Sequence, residues 1–176
     1  ATVVIITRDG YIKRIPPDTF KAQARGGKGV IGLTTKEEDD VEHLFSTTTH
    51  ADLMFFTSRG RVFQLKGYDI PVASRTAKGQ AVVNFLQLAP EEKVSEVLSL
   101  TDWEGYKYLI MLTRQGVIKK VELNAFENVR RSGLIAINLR AGDSLQWVKL
   151  STGEDDVILT TAKGQSIRFK EKGLRP

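Results

Sequence analysis

Along the chain, apolar and polar positions fall into a pattern that returns four times. An apolar run leads to a threonine, then two further residues and a glycine, then a second run in which apolar and polar positions alternate. The copies begin Val3-Val4-Ile5-Ile6-Thr7-Arg8-Asp9-Gly10, Leu53-Met54-Phe55-Phe56-Thr57-Ser58-Arg59-Gly60, Leu109-Ile110-Met111-Leu112-Thr113-Arg114-Gln115-Gly116 and Val157-Ile158-Leu159-Thr160-Thr161-Ala162-Lys163-Gly164. A glycine at the tip of two β-prone runs supplies the positive φ of a tight turn, so each copy predicts a β-hairpin. The glycines are separated by 50, 56 and 48 residues.

The register extends beyond the hairpins. Ten residues after each glycine stands Phe20, Ile70, Phe126 or Leu174, and twenty-three after stand Leu33, Val83 and Leu139. A further apolar strand precedes each new hairpin, as at 94–100 and 145–150. About four strands in a period of about fifty residues is the measure of a propeller blade. The expectation is an all-β, propeller-like domain of four-stranded blades. It has three complete repeats (1–52, 53–108 and 109–156) and a partial fourth (157–176). No segment sustains a helical period. No apolar run approaches the twenty residues needed to span a bilayer, and no secretory signal is visible. A chain opening directly on Val3 to Ile6 reads as one cut at a domain boundary.

Composition narrows the chemistry. With 41% hydrophobic and 27% charged residues the chain is globular. The lack of cysteine excludes disulfide frameworks, thiolate zinc sites and cysteine nucleophiles. A net charge of +5 and an isoelectric point of about 9.5 favour a polyanionic partner. Charge is also sorted within each repeat. Residues 7–29 net +4 and 30–53 net −5; the next pair, 57–79 and 80–112, nets +4 and −3. Residues 113–133 net +3, 134–160 net −2, and 161–176 net +4. If equivalent loops lie side by side, the basic segments form a stripe that attracts a phosphate backbone without reading sequence.

The segment Gln23-Ala24-Arg25-Gly26-Gly27-Lys28-Gly29 is the densest part of that stripe. Successive glycines let backbone N–H groups converge into an anion nest, and Arg25 and Lys28 add full charges. Arg75, Lys78 and Gly79 stand at the same offsets from Gly60 as Arg25, Lys28 and Gly29 do from Gly10. Arg131 and Gly133 repeat the offsets of Arg25 and Gly27, beside Arg130. The candidate phosphate-contacting set is therefore Arg25, Gly26, Gly27, Lys28, Gly29, Arg75, Lys78, Arg130 and Arg131. Lys13, Arg14, Lys119, Lys120 and Arg168 lie on second hairpin strands and could face either way.

The 23–29 segment resembles the box of the DNA gyrase A C-terminal domain, a family of type IIA topoisomerase domains, with Ala24 where that box carries arginine. The hairpins and the closing Phe169-Lys170-Glu171-Lys172-Gly173-Leu174-Arg175-Pro176 are similar to the same repeats. The resemblance implies a β-pinwheel whose neighbouring blades exchange strands and whose basic outer edge wraps duplex DNA, with the box carried over to Gln23, Arg25, Gly26, Gly27, Lys28 and Gly29 as DNA-binding residues. It also implies an ATP-dependent, negatively supercoiling enzyme, assembled from two gyrase A and two gyrase B subunits in the bacterial cytoplasm. The catalytic tyrosine, ATP and magnesium would belong to that whole enzyme, and no cofactor to this chain. The C-terminal domain of topoisomerase IV, a propeller-like protein-interaction scaffold and a propeller hydrolase are the alternatives.

Other motifs are weaker. Gly27-Lys28-Gly29-Val30-Ile31-Gly32 fits a dinucleotide fingerprint but lacks the following helix. The run Glu37-Glu38-Asp39-Asp40 fits no calcium loop and reads as a solvated acidic loop. His43 and His50 suit surface or seam roles, the four tyrosines suit strand packing, and Trp103 and Trp147 read as core or seam anchors.

Overall fold

The computed structural model of the chain describes residues 1–17 and 39–176. They form strands joined by turns and short 3-10 segments, an all-β architecture. Strands β1 (Thr2–Thr7) and β2 (Tyr11–Ile15) make the first hairpin, with β3 (Val41–Thr47) pairing on the other side of β1. The second hairpin, β4 (Asp52–Thr57) and β5 (Arg61–Lys66), is joined by β7 (Val94–Ser99). The third, β8 (Tyr108–Thr113) and β9 (Ile118–Glu122), is joined by β11 (Leu145–Ser151). The fourth hairpin pairs β12 (Asp156–Thr160) with β13 (Ser166–Lys170).

The remaining two strands tie neighbouring repeats together. β6 (Gln80–Ala81) follows the second hairpin in sequence yet pairs with β2 of the first sheet, Tyr11 opposite Ala81 and Ile12 opposite Gln80. β10 (Leu134–Ile135) follows the third hairpin and pairs with β5 of the second, Val62 opposite Leu134 and Arg61 opposite Ile135. The strand orders are thus β3-β1-β2-β6 and β10-β5-β4-β7. In both cases the added strand meets the two residues that follow the hairpin glycine. A repeat therefore completes its predecessor's sheet rather than its own, which is the strand exchange the resemblance implied.

Threonine and glycine hold each hairpin tip by the same contacts. The glycine N–H donates to the threonine carbonyl at 3.0 Å in all four copies. Gly10 and Gly60 sit at φ 85° and 77°, conformations that side chains with a Cβ resist. The threonine hydroxyl accepts the N–H four residues on, from Tyr11, Arg61, Val117 and Gln165, at 3.0–3.3 Å.

The core lies between sheets. β4 is apolar on both faces because it is buried on both. Leu53 and Phe55 pack with Val4, Ile6, Ile12 and Phe63 on one side. Met54 and Phe56 pack with Leu109, Met111 and Phe126 on the other. Phe56 meets Phe126 edge to face, ring centroids 5.9 Å apart. This two-sided burial explains why Leu53 to Phe56 shows no alternation.

One aligned apolar position, Val83, and one expected anchor, Trp147, depart from expectation. Ile70 and Phe126 are buried, but Val83 is 60% exposed, because it sits in a 3-10 turn (Val82–Asn84) whose first residue alone turns inward. Trp147 is half exposed rather than a seam anchor, since a register shift between Leu145 and Trp147 aims it outward. Tyr68 and Tyr106 are likewise exposed. Trp103 does pack against the second core. No described helix is long and apolar enough to cross a membrane.

Candidate nucleic-acid interface

The third strands β3, β7 and β11 converge. The His43 ring lies 3.1 Å from the Val94 carbonyl, and the Ser95 hydroxyl donates to the Leu145 carbonyl at 2.6 Å. They are one edge of their sheets, so β6 and β10 mark the opposite, outer edge. Arg75 and Lys78 stand in the loop entering β6, and Arg130 and Arg131 in the loop entering β10. The two loops therefore occupy equivalent places, each on the outer edge of the sheet before its own. Gln23, Arg25, Gly26, Gly27, Lys28 and Gly29 lie outside the described residues.

In the first of these loops Arg75 is half-buried and Lys78 exposed, and a turn closes it, Ala77 N–H to Ser74 carbonyl at 3.2 Å. In the second, Arg130 and Arg131 are both exposed, with the Gly133 N–H donating to the Arg130 carbonyl at 2.9 Å. Lys78, Arg130 and Arg131 make no ion pair among the described residues. Other cations do: Arg8 with Asp40, Arg61 with Glu92, Lys66 with Asp52, Lys120 with Glu171, Arg168 with Asp156 and Lys172 with Glu154. These six cations are neutralised within the protein, whereas Lys78, Arg130 and Arg131 stand toward solvent.

The cations on second hairpin strands divide. Lys13 is 2% exposed, and burial lowers its pKa. The Arg14 guanidinium donates to the Ile70 carbonyl at 3.1 Å. Lys120 is buried against Glu171, with its ammonium 4.1 Å from the centre of the Tyr108 ring. Arg168 is tied to Asp156, and Lys119 points to solvent.

The acidic segments hold a set of residues that composition hid. Asp39, Glu92 and Asp143 each stand two residues before a third strand, at β3, β7 and β11. Asp39 is 6% and Glu92 5% exposed, so the first acidic run is not wholly solvated: one of its carboxylates turns inward. Glu92 accepts from the Thr57 hydroxyl at 2.5 Å, the Ala89 N–H at 2.8 Å and the Arg61 guanidinium at 2.5 and 3.0 Å. Asp39 accepts the Asp9 N–H at 2.9 Å, and Asp143 the Gln115 N–H at 3.0 Å. For all three, burial pushes the carboxyl pKa up. Hydrogen bonds outweigh it, from a threonine hydroxyl and backbone amides at Asp39 and Asp143 and from the Arg61 guanidinium, the Thr57 hydroxyl and the Ala89 amide at Glu92, and an arginine charge adds to them, leaving each below its ordinary value. The hairpin threonine is thus the hinge pin between its turn and the third strand. Its recurrence three residues before every glycine was the signal available in the sequence.

Residues 1–48, 51–100, 107–152 and 155–176 match the profile of a family described as the DNA gyrase C-terminal domain, beta-propeller. The chain belongs to that family. It is 49% identical over 174 residues to the DNA gyrase A protein of Clostridium acetobutylicum, covering 99% of this chain and 21% of that protein. To the DNA gyrase A protein of Mycolicibacterium smegmatis it is 47% identical over 176 residues, again 99% and 21%. The chain thus spans about a fifth of the length of these relatives. A solved C-terminal domain of DNA topoisomerase IV superposes with a TM-score of 0.76 at 27% identity, covering 97% of this chain and 51% of that one. A solved DNA gyrase A C-terminal domain gives 0.74 at 24%, covering 99% and 56%, a likeness of fold. The two superpositions do not separate the enzymes. The sequence identities favour the gyrase side.

Proposed function

We propose that this chain binds duplex DNA through its phosphates, without reading sequence, and wraps it along the outer edge of successive sheets. The observation that carries this reading is the equivalent placement of two basic loops, each leading into a strand added to the preceding sheet. Arg75 and Lys78 would neutralise phosphates on the first sheet, and Arg130 and Arg131 on the second. Gln23, Arg25, Gly26, Gly27, Lys28 and Gly29 would extend the track, the glycines admitting a phosphate close to the backbone. Arginine is suited to phosphate by its planar fork, lysine as a point charge.

Within a whole gyrase of two A and two B subunits, a wrap of fixed hand would present a crossing to the strand-passage machinery. ATP-driven passage would then introduce negative supercoils in the bacterial cytoplasm. The catalytic tyrosine, ATP and magnesium belong to other parts of that enzyme in this reading. The test is the topology of relaxed circles closed by ligase in the presence of this chain. Wrapping shifts the topoisomer distribution in proportion to bound protein. A distribution unmoved at saturating protein contradicts it.

A further inference from the structure

The loop that carries Arg75 and Lys78 arches over β2 between two pins. On entry, the Arg14 N–H donates to the Pro71 carbonyl and the Ala73 N–H to the Arg14 carbonyl, both at 3.0 Å. On exit, β6 pairs with Tyr11 and Ile12. Between the pins the loop has no ladder partner, yet three of its carbonyls face inward. They accept from the Lys13 ammonium at 3.4 Å (Ser74), 2.9 Å (Arg75) and 2.6 Å (Ala77). An ammonium has three donors, and three carbonyls surround it. Gly79 closes the arch so tightly that a Cβ there would collide with the Ile12 carbonyl oxygen.

The direction of those carbonyls fixes the direction of the amides. In a planar trans peptide the C=O and the following N–H point opposite ways, and no described peptide is cis. With the Arg75 and Ala77 carbonyls turned onto Lys13, the N–H groups of Thr76 and Lys78 point away from it. Thr76 and Lys78 are both exposed. Two outward amides beside a lysine side chain offer an anion two neutral donors and one charge.

The second sheet solves the same position without a charge. Phe63 stands three residues after Gly60, as Lys13 does after Gly10, and Gly133 rests on its ring. The Arg61 guanidinium covers the Phe63 ring at 4.9 Å. The third copy again has a lysine at this position, Lys119, which is exposed, so the side chain three residues after the glycine varies between copies and only Lys13 is seen buried beneath a described loop.

We propose that Lys13 is a positioning residue, an internal cation that turns the 74–77 carbonyls inward. It thereby presents the Thr76 and Lys78 amides, with the Lys78 side chain, to one phosphate while touching no phosphate itself. This rests on the DNA-binding reading above.

Three measurements test it. Amine-reactive labelling of the unaltered protein reads exposure: Lys78 is labelled in the free protein and protected by duplex, whereas Lys13 resists labelling in both states. Labelling of Lys13 in the free protein and its protection by duplex overturns the proposal. Amide hydrogen exchange of Lys13→Met without DNA reads the loop alone: the Ala77 amide, which donates to the Ser74 carbonyl, loses protection while β1 and β4 keep theirs, and unchanged Ala77 exchange overturns the proposal. Duplex binding across a salt series reads the consequence. K13M lowers the slope by about one, as K78A does, and lowers it no further in a K78A background. A fall of about one in both backgrounds marks Lys13 as a direct phosphate ligand and overturns the proposal. A protein that binds no duplex sinks the functional reading, while the exchange measurement still decides whether Lys13 orders the loop.

Discussion

Replacing Glu92 by glutamine isolates the buried carboxylate clamp. In the native protein this carboxylate joins Thr57 at the hairpin tip, Arg61 on β5 and the Ala89 amide ahead of β7. Its side chain is wholly buried, while that of Arg61 is 28% exposed. Glutamine keeps the size but removes the charge, and its NH2 cannot accept from the groups that faced an oxygen. Breaking a buried pair by removing one partner costs about 3–5 kcal/mol. Partial access of water to Arg61 places E92Q at the lower end, about 3 kcal/mol. For a chain of this size that is a fall in melting temperature of roughly 6–12 °C. Urea unfolding followed by the fluorescence of Trp103, which packs in the core beside this sheet, measures it directly. A loss below about 0.5 kcal/mol refutes the claim that the clamp joins turn to strand, since it would then resemble a surface pair.

The same clamps set the acid limit. Asp39, Glu92 and Asp143 have folded pKa values below their unfolded ones. Their contribution is therefore complete above the ordinary carboxylate range near about pH 4 and is lost as pH falls through the lowered values. Stability measured across pH 2–6 should fall on acidification, and less steeply in E92Q. Phe56→Ala, which removes a ring buried between two sheets, should cost about 3–5 kcal/mol in the same urea assay. Gly79→Ala should destabilise by about 1–3 kcal/mol, because its φ of 85° and the Ile12 carbonyl both oppose a methyl group. Crystallography or hydrogen exchange should show the disturbance confined to the loop before β6.

The hairpins were legible because their signal is local: threonine, glycine and two apolar runs within twelve residues. The closing strands were not, since β6 and β10 are two residues long and carry no alternation to read. Gln80–Ala81 is a strand only because β2 leaves an edge open beside it. Only the family resemblance anticipated the exchange. Composition likewise could not say that Asp39 turns inward. It does so by reaching both the Asp9 amide and the Thr7 hydroxyl at the first hairpin tip. Lys13 could face either way on its strand, because its burial depends on a loop about sixty residues away. Arg75, Lys78 and Arg131 could be selected from the sequence by their offsets from the hairpin glycines, and Arg130 as the neighbour of Arg131. Their common place on the outer edge could not, because it follows from strands donated across repeats.

The central claim is that both described basic loops engage one duplex through phosphates. Its most direct measurement is the salt dependence of binding to a random-sequence duplex by the unaltered protein and by a variant with Arg75, Lys78, Arg130 and Arg131 all replaced by alanine. If all four residues meet phosphates, the slope of log affinity against log salt flattens by about 3.6, roughly 0.9 for each phosphate no longer neutralised. A slope that does not change, with the variant still folded, would contradict the account.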